Sequence, residues 1–217
     1  MKPSDRQSAE VEQRSRSNST TLHPGHADYS EIVPGERRRR LLTAAMDVIA
    51  ANALENVTMD RIAKVAGVTR VTLYREFGNR GTLIEAVIAY RLVLFDERFF
   101  ARIEPGLTLS ELVERYLVAS TQASKSNPVS RRWASGGMKF LYSGSLIDRV
   151  ATATWTPVLE RYAASDSRLN GIEAAEVGLW LIVLQYSLGR MVVETSCDDS
   201  AVLRLVSQFV SPAFSVR

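Results

Sequence analysis

The sequence predicts an all-α fold, and three observations support that prediction. From Glu36 onward apolar residues recur every three to four positions, as Leu41, Ala45 and Val48 do, and this is the period of a helix that buries one face. Proline, glycine and asparagine separate the later apolar segments at wide intervals. No alternating strand pattern of useful length occurs. We therefore expect about nine helices.

The limits of these helices follow from the same pattern. Residues 1–34 are rich in Ser, Arg, Gln, Glu and Thr, and they hold too few large apolar side chains to offset the entropy of ordering the chain. We expect a disordered N-terminal arm there. Beyond it, two short helices lie between residues 58 and 77, and longer helices are predicted over residues 36–53, 79–103, 108–126, 128–136, 145–165, 172–195 and 199–211.

The positive charge of the chain is concentrated in one block. The 217 residues carry a net charge of +3. Residues 35–102 hold twelve Lys/Arg against eight Asp/Glu, whereas residues 103–217 hold eleven of each. A short basic domain ahead of a neutral, apolar body is typical of a protein that binds nucleic acid. A solvated basic face is the alternative interpretation of the same charges.

Several other classes of protein find little support. Both histidines, His23 and His26, lie in the predicted arm, and Cys197 is the single cysteine. Without a histidine partner, a phosphate-binding loop or a nucleophile elbow, we expect no enzyme and no cofactor. No acidic cluster has metal-ligand spacing, so we expect no metal. The lone thiol favours the cytoplasm, and the longest apolar run, Val177 to Leu184, is too short to span a membrane.

The segment from Thr58 to Phe77 carries the functional prediction. Thr58 and Thr69 are suited to cap two short helices, and Gly67 lies between them, where a left-handed residue would end the first helix. Ala63 is small where the two helix axes must approach closely. This spacing predicts a helix-turn-helix, although an ordinary helical hairpin can show the same pattern.

The second helix of this motif has an unusual outward face. It combines hydroxyl groups, guanidinium groups and an apolar side chain, which suit phosphate oxygens, base edges and a thymine methyl group in DNA. A purely structural hairpin more often carries Glu and Lys there. The residues predicted to face outward are Thr69, Arg70, Val71, Thr72, Tyr74 and Arg75.

With these residues, the run Thr-X-X-X-Ile-Ala-X-X-Ala-Gly-Val-X-X-X-X-Leu-Tyr-X-X-Phe resembles the DNA-binding domain of TetR-family bacterial regulators, and the match extends over about residues 36–90. The resemblance implies phosphate contacts by Thr58 and Tyr74, and base contacts from residues 69–72. Arg80 stands where the family usually has a phosphate-binding lysine. Arg37, in the arginine cluster of the first helix, is a further expected DNA contact. Glu76 departs from the family by placing a carboxylate near DNA.

The resemblance also implies a division of the chain. Residues 35–80 would form a three-helix DNA-binding domain, and residues 81–217 a helical ligand-binding and dimerisation domain. The last two helices carry apolar stripes that suit a homodimer interface, although core helices inside one chain would show the same stripes. The residues predicted at this interface are Trp180, Leu184, Leu188, Met191, Leu205 and Phe209.

The function implied is a sequence-specific transcriptional repressor that a small molecule releases from operator DNA. Aromatic residues of the body suggest a mostly apolar ligand, although each of them also suits an ordinary core. A helical dimeric interaction module without specific DNA binding is the alternative function. The predicted ligand-binding residues are Trp133, Phe140, Tyr142, Trp155 and Tyr186.

Overall fold

The computed structural model describes Tyr29 and residues 32–137, 145–163, 173–195 and 197–215. Within these ranges the chain forms nine α-helices and no strand, which confirms the predicted fold class. The helices are α1 (Glu36–Ala51), α2 (Met59–Ala66), α3 (Arg70–Phe77), α4 (Arg80–Phe100), α5 (Leu109–Ser126), α6 (Pro128–Gly136), α7 (Ser145–Ala163), α8 (Ala174–Glu194) and α9 (Asp199–Leu205). A short 3₁₀ helix, Leu54–Asn56, precedes α2. After α9 the chain continues as a π-helical turn, Val206–Val210, and a 3₁₀ turn, Ser211–Phe214.

Helix limits in the body follow local capping chemistry. The Thr108 hydroxyl accepts a hydrogen bond from the Glu111 amide, and the Glu111 carboxylate accepts one from the Thr108 amide at 2.8 Å. These two bonds form a capping box at the start of α5. Asn127 ends α5 and caps α6, where Pro128 occupies a position that needs no amide donor.

Two apolar clusters hold the helices together. The first joins the helix-turn-helix to α1, α4, α6, α7 and α8, and it includes Leu73, Val129 and Ile182. The second lies inside the body between α5, α7, α8 and the C-terminal turns, around Trp155. Because the first cluster crosses from the DNA-binding region into the body, the two parts share one packed core.

Helices α7 and α8 approach closely at Gly178. A Cβ atom at this position would lie 2.8 Å from the Ala151 carbonyl oxygen, which is backbone and cannot move aside alone. Only a residue without a side chain allows this contact. The glycine therefore sets the distance between the two helices.

A buried carboxylate joins the N-terminal segment to the body. Asp96 of α4 accepts hydrogen bonds from the hydroxyls of Tyr116 and Thr154, each at 2.7 Å, and from the Tyr29 hydroxyl at 3.1 Å. Tyr29 is itself buried, although it belongs to the segment for which the sequence predicted an arm. Its burial shows that the ordered part of the chain begins before the first helix.

Burial gives Asp96 a measurable influence on stability. Loss of solvation raises its pKa from an ordinary 3.8 to about 6, against the opposing effect of the three hydroxyl donors. Between these two pH values the folded chain holds a proton that the unfolded chain has released. The contribution of Asp96 to the free energy of unfolding is therefore complete below pH 3.8 and is lost as the pH rises through 6. We expect the free energy of unfolding to fall by about 3 kcal/mol over this window on account of Asp96.

Asp96→Asn should remove that dependence, because an amide of the same shape does not ionise. Urea unfolding at fixed protein concentration and at pH 4, 5, 6 and 7 measures the difference between variant and wild type. Asp148→Asn, which changes an exposed carboxyl of α7, is the control. Identical pH profiles for wild type and Asp96→Asn would contradict the prediction.

Candidate nucleic-acid interface

The turn of the helix-turn-helix has the local geometry that its residues predict. The Thr58 hydroxyl accepts a hydrogen bond from the Arg61 amide at 3.2 Å and begins α2. Gly67 ends that helix with φ of 65°, in the left-handed region. The Thr69 hydroxyl then accepts from the Thr72 amide at 3.2 Å and begins α3. Side chains and backbone together fix where each helix starts.

Buried side chains hold the two helices at a fixed crossing. Ile62 of α2 and Leu73 of α3 are fully buried, and Ala63 and Phe77 are nearly so. Full burial of a Leu or Ile side chain stabilises by about 1.5–3 kcal/mol. With its inner face used in this way, α3 presents its other face to solvent.

The outward face of α3 consists of the residues that the sequence predicted. Val71 is 65% exposed and Tyr74 is 39% exposed, so both side chains are accessible to a binding partner. Thr69, Arg70 and Arg75 are also exposed, and Thr72 is half-buried.

Arg70 and Tyr74 form a pair on this face. The Arg70 guanidinium donates a hydrogen bond to the Tyr74 hydroxyl at 3.1 Å and lies 5.2 Å from the centre of its ring. It also donates to Asp60 of α2 at 3.3 Å. The hydrogen bond to Tyr74, followed by the charge of Asp60, raises the pKa of Arg70. These contacts hold an exposed guanidinium in place without burying it.

Three of the four arginines in the α1 cluster make contacts within the chain. Arg39 and Arg40 pair with Glu36, one turn away. Arg38 donates to the Glu76 backbone carbonyl at 3.0 Å and to its carboxylate at 3.2 Å. Glu76 thus faces an arginine, which explains how a carboxylate is tolerated at this end of α3.

Arg37 is different because it makes no hydrogen bond or ion pair with any residue in the described ranges. Its side chain is exposed at the start of α1. It is therefore the arginine of this cluster that is free to contact an anion.

Arg80 points partly inward at the start of α4. Its Nε donates to the Val57 carbonyl at 2.5 Å, and its Nη2 donates to the Leu54 carbonyl. Two of its nitrogens therefore tie α4 to the loop before α2, which leaves Nη1 for a phosphate. Asn79 and Thr82 form a capping box at the same place, which offsets the poor helix propensity of the intervening Gly81.

The residues predicted at the dimer interface lie on α8, at the end of α9 and in the C-terminal turns. Phe209 is 69% exposed, and Trp180 and Leu205 are also exposed. Leu184, Leu188 and Met191 are half-buried and pack against the second apolar cluster. The sequence analysis did not name two further exposed side chains on this surface, Leu179 and Leu203.

By length and composition alone, α8 is apolar enough to cross a membrane, with a mean hydropathy of 1.3 over its most apolar stretch. Its apolar side chains occupy two faces. One face packs against α5, α6 and α7, and the other carries Leu179 and Trp180 to the surface. Helix packing and an exposed apolar surface thus account for this composition.

The predicted ligand-binding residues are dispersed. Trp133 lines a small cavity between α4, α5 and α6. Trp155 and Tyr186 are buried in the core and line neither this cavity nor the groove between α4 and α5. Phe140 and Tyr142 lie outside the described residues. No group of His, Cys, Asp or Glu that could hold a metal occurs in the described ranges.

The sequence analysis missed a set of four arginines around a groove between α4 and α5: Arg91, Arg98, Arg102 and Arg115. A signal was available for three of them. Spacings of seven and four residues place Arg91 and Arg98 on one face of α4 and continue to Arg102 in the turn that follows.

Comparison with known proteins confirms the family. The sequence profile of the bacterial regulatory proteins, tetR family, matches residues 41–87. The chain is 32% identical over 99 residues to TtgW, an uncharacterized HTH-type transcriptional regulator of Pseudomonas putida, and the match covers 46% of this chain and 70% of TtgW. It is also 32% identical over 99 residues to the HTH-type transcriptional regulator SrpR of Pseudomonas putida, of which the match covers 44%, again with 46% of this chain. The chain thus spans less than half the length of SrpR.

The whole fold resembles solved structures of regulators. The TetR family repressor AlkX of Dietzia sp. strain DQ12-45-1b superposes with a TM-score of 0.57 over 83% of this chain and 97% of that chain. The identity is 21%, so this likeness concerns the fold. The profile match around the helix-turn-helix and the identity to TtgW concern the sequence itself. The chain belongs to the TetR family of bacterial regulatory proteins.

Proposed function

We propose that this chain is a cytoplasmic transcriptional repressor that binds operator DNA as a homodimer and leaves it when a small molecule binds the helical body. In this proposal residues 35–80 contact DNA and residues 81–217 bind the ligand and the partner. One observation gives this proposal its main support. The exposed face of α3 combines Arg70, Val71 and Tyr74 on a helix whose opposite face is fully packed.

This face fits the major groove of DNA, which admits an α-helix. Arg70 is suited to the acceptor edge of guanine, and Val71 to the methyl group of thymine. Thr58 and Tyr74 carry hydroxyls at its edges, and Arg37 adds an unpaired charge from α1. In this arrangement Thr58, Tyr74 and Arg37 would contact phosphates, which position the protein. Arg70 and Val71 would contact bases, which select the sequence.

The exposed apolar side chains of α8, α9 and the C-terminal turns support a homodimer. Trp180, Leu205 and Phe209 would each remain in water in a monomer, and burial against a second chain would remove this apolar surface from water. A two-fold axis would bring the same surface of two chains together. Two recognition helices on one face would then read two half-sites of DNA.

Helix α4 connects the two activities. It begins at Arg80 beside the DNA-binding region and extends to the cavities of the body. The Glu85 carboxylate of α4 accepts a hydrogen bond from the Leu146 amide at the start of α7 at 3.0 Å. Trp133, at the inner cavity, packs in the same apolar cluster as the helix-turn-helix. A ligand that shifts α4 would therefore change the spacing of the recognition helices.

Binding to DNA upstream of the gene tests this proposal against the interaction module. We expect a gel shift with the upstream duplex at a protein concentration that leaves a random duplex of equal length free. Because several phosphates are neutralised, affinity should fall by at least about tenfold between 50 and 200 mM salt. Equal binding to both duplexes, or an affinity that salt does not change, would favour the interaction module.

The proposal gives the chain no catalytic step. The relatives that it matches are named as transcriptional regulators. Hydrolase or transferase activity of the purified full chain would contradict this part of the proposal.

A further inference from the structure

A groove of about 610 Å³ runs between α4 and α5, and positive charge surrounds it. Arg91, Arg98 and Arg102 line it from α4 and the turn that follows, and Arg115 lines it from α5. None of its lining residues is acidic. The volume is in the range of small-molecule sites, so the groove is large enough for an organic ligand.

Protein carboxylates do little to balance these charges. Arg91, Arg98 and Arg102 form no ion pair with a residue in the described parts of the chain. Arg115 has one partner, Glu104, at 3.9 Å, and both of these side chains are largely exposed. Burial, and then the neighbouring charge of Arg98, lower the pKa of Arg91. An anion in the groove would offset this unfavourable gathering of like charges.

Apolar surface lies between the arginines. Phe95 and Phe99 of α4 line the groove together with Ile103, and the centres of the two phenyl rings are 6.1 Å apart. A small inorganic anion would leave this surface in contact with water. A ligand with both charged and apolar parts would cover it.

Behind the groove lies a second, much smaller cavity of about 30 Å³, which shares Arg91 and Phe95 with it. Three of its buried polar atoms have no hydrogen-bond partner: Nε1 of Trp133, Oε1 of Gln185 and Nε of Arg91. The Trp133 and Gln185 side chains are more than nine-tenths buried. Leaving such groups unpaired is costly, and natural proteins rarely do so without a reason. The three atoms belong to side chains that line one small cavity beside the groove.

We propose that this groove is the effector site and that its ligand is an organic anion with an apolar part. The negative groups pair with Arg98, Arg102 and Arg115, and the apolar part covers Phe95 and Phe99. A polar end of the ligand reaches past Arg91 toward the small cavity that Trp133 and Gln185 line. The role of the groove as an effector site rests on the proposed function. The proposal replaces the mostly apolar ligand that the sequence suggested with a charged one.

Two fluorescent probes test the site on the full chain. 8-Anilinonaphthalene-1-sulfonate combines a naphthalene group with one negative charge, and N-phenyl-1-naphthylamine has the same aromatic groups without the charge. We compare wild type with Arg98→Gln/Arg102→Gln. The matched control, Arg149→Gln/Arg161→Gln, removes two exposed charges from α7, outside the groove.

For the groove variant we expect the dissociation constant of the sulfonate to rise by at least about tenfold. The variant lacks two arginines, and each of them would make a charge-assisted contact with the sulfonate group. In the control it should change by less than about twofold. The neutral probe should bind both variants alike. Dodecyl phosphate should displace the sulfonate from wild type, whereas inorganic phosphate at the same concentration should not.

Each other result overturns the proposal in a defined way. Equal sulfonate affinity in both double variants would place the probe elsewhere. Displacement by inorganic phosphate alone would show a simple anion site. Operator binding by wild type is measured separately and without probe. If it fails while the probe results hold, the groove remains an anion site and the repressor function is wrong.

Discussion

Replacing Arg70 with alanine is expected to weaken binding of the dimer to its operator by about 30-fold or more. A contact between a side chain and a base edge contributes about 1–3 kcal/mol, and a dimer would lose two such contacts. Arg70 is exposed at the first position of α3, where its contacts to Asp60 and Tyr74 orient it. The loss should be largest for operator duplex and small for random duplex, because a base contact selects sequence.

Three further variants separate this effect from a general loss of charge. Tyr74→Phe removes one hydroxyl and should weaken binding several-fold. Arg37→Ala should weaken binding to all duplexes alike and reduce the dependence of affinity on salt. Arg149→Ala, which removes an arginine from the surface of α7, is the matched control. Fluorescence anisotropy at two salt concentrations measures all four variants, and wild-type affinity in Arg70→Ala would remove α3 from the interface.

Replacing Phe209 with glutamate is expected to dissociate the homodimer and to lower operator affinity by about 10²-fold or more, because each half-site must then be bound separately. The side chain of Phe209 is 69% exposed within one chain, so the substitution should leave the fold of the monomer intact. In the dimer it would place a carboxylate in an apolar interface without a partner.

Light scattering after size exclusion measures the mass, and circular dichroism verifies that the helices remain. Thr152→Glu adds the same charge at an exposed position of α7 and should remain dimeric. A dimeric Phe209→Glu protein with wild-type operator affinity would show that the chains associate through another surface.

Local chemistry explains why so much of the DNA-binding region could be predicted. A threonine cap acts three residues along the chain, and a left-handed glycine acts at its own position, so Thr58, Thr69 and Gly67 could be assigned without knowledge of the fold. The starts of α5 and α6 were predictable for the same reason. The side chains of Thr108 and Asn127 accept hydrogen bonds from amides three positions further along the chain.

Contacts between distant residues could not be predicted in this way. Tyr29 and Asp96 are 67 residues apart and Tyr29 and Thr154 are 125 apart, and no periodic pattern reports such a pairing. Tyr29 therefore looked like part of a polar arm. Arg38 and Glu76 illustrate the same limit, because they are 38 residues apart and only the fold brings them together.

The groove between α4 and α5 shows a different limit. The aromatic residues suggested an apolar ligand, and Trp155 and Tyr186 are buried in the two apolar clusters. The arginines that line the groove come from both sides of the turn between α4 and α5. A cavity depends on what neighbouring helices leave unfilled, and single-helix patterns do not contain that information.

The hydrogen bond from Leu146 to Glu85 has a mechanical consequence for α4. If this contact acts as a pivot, Arg80 lies about 8 Å from it on one side and Arg91 about 9 Å on the other, at about 1.5 Å per residue. A lever with such equal arms transmits a displacement without enlarging it. In the proposed mechanism, a ligand that contacts Arg91 would therefore have to displace that part of α4 by about as much as Arg80 moves at the other end.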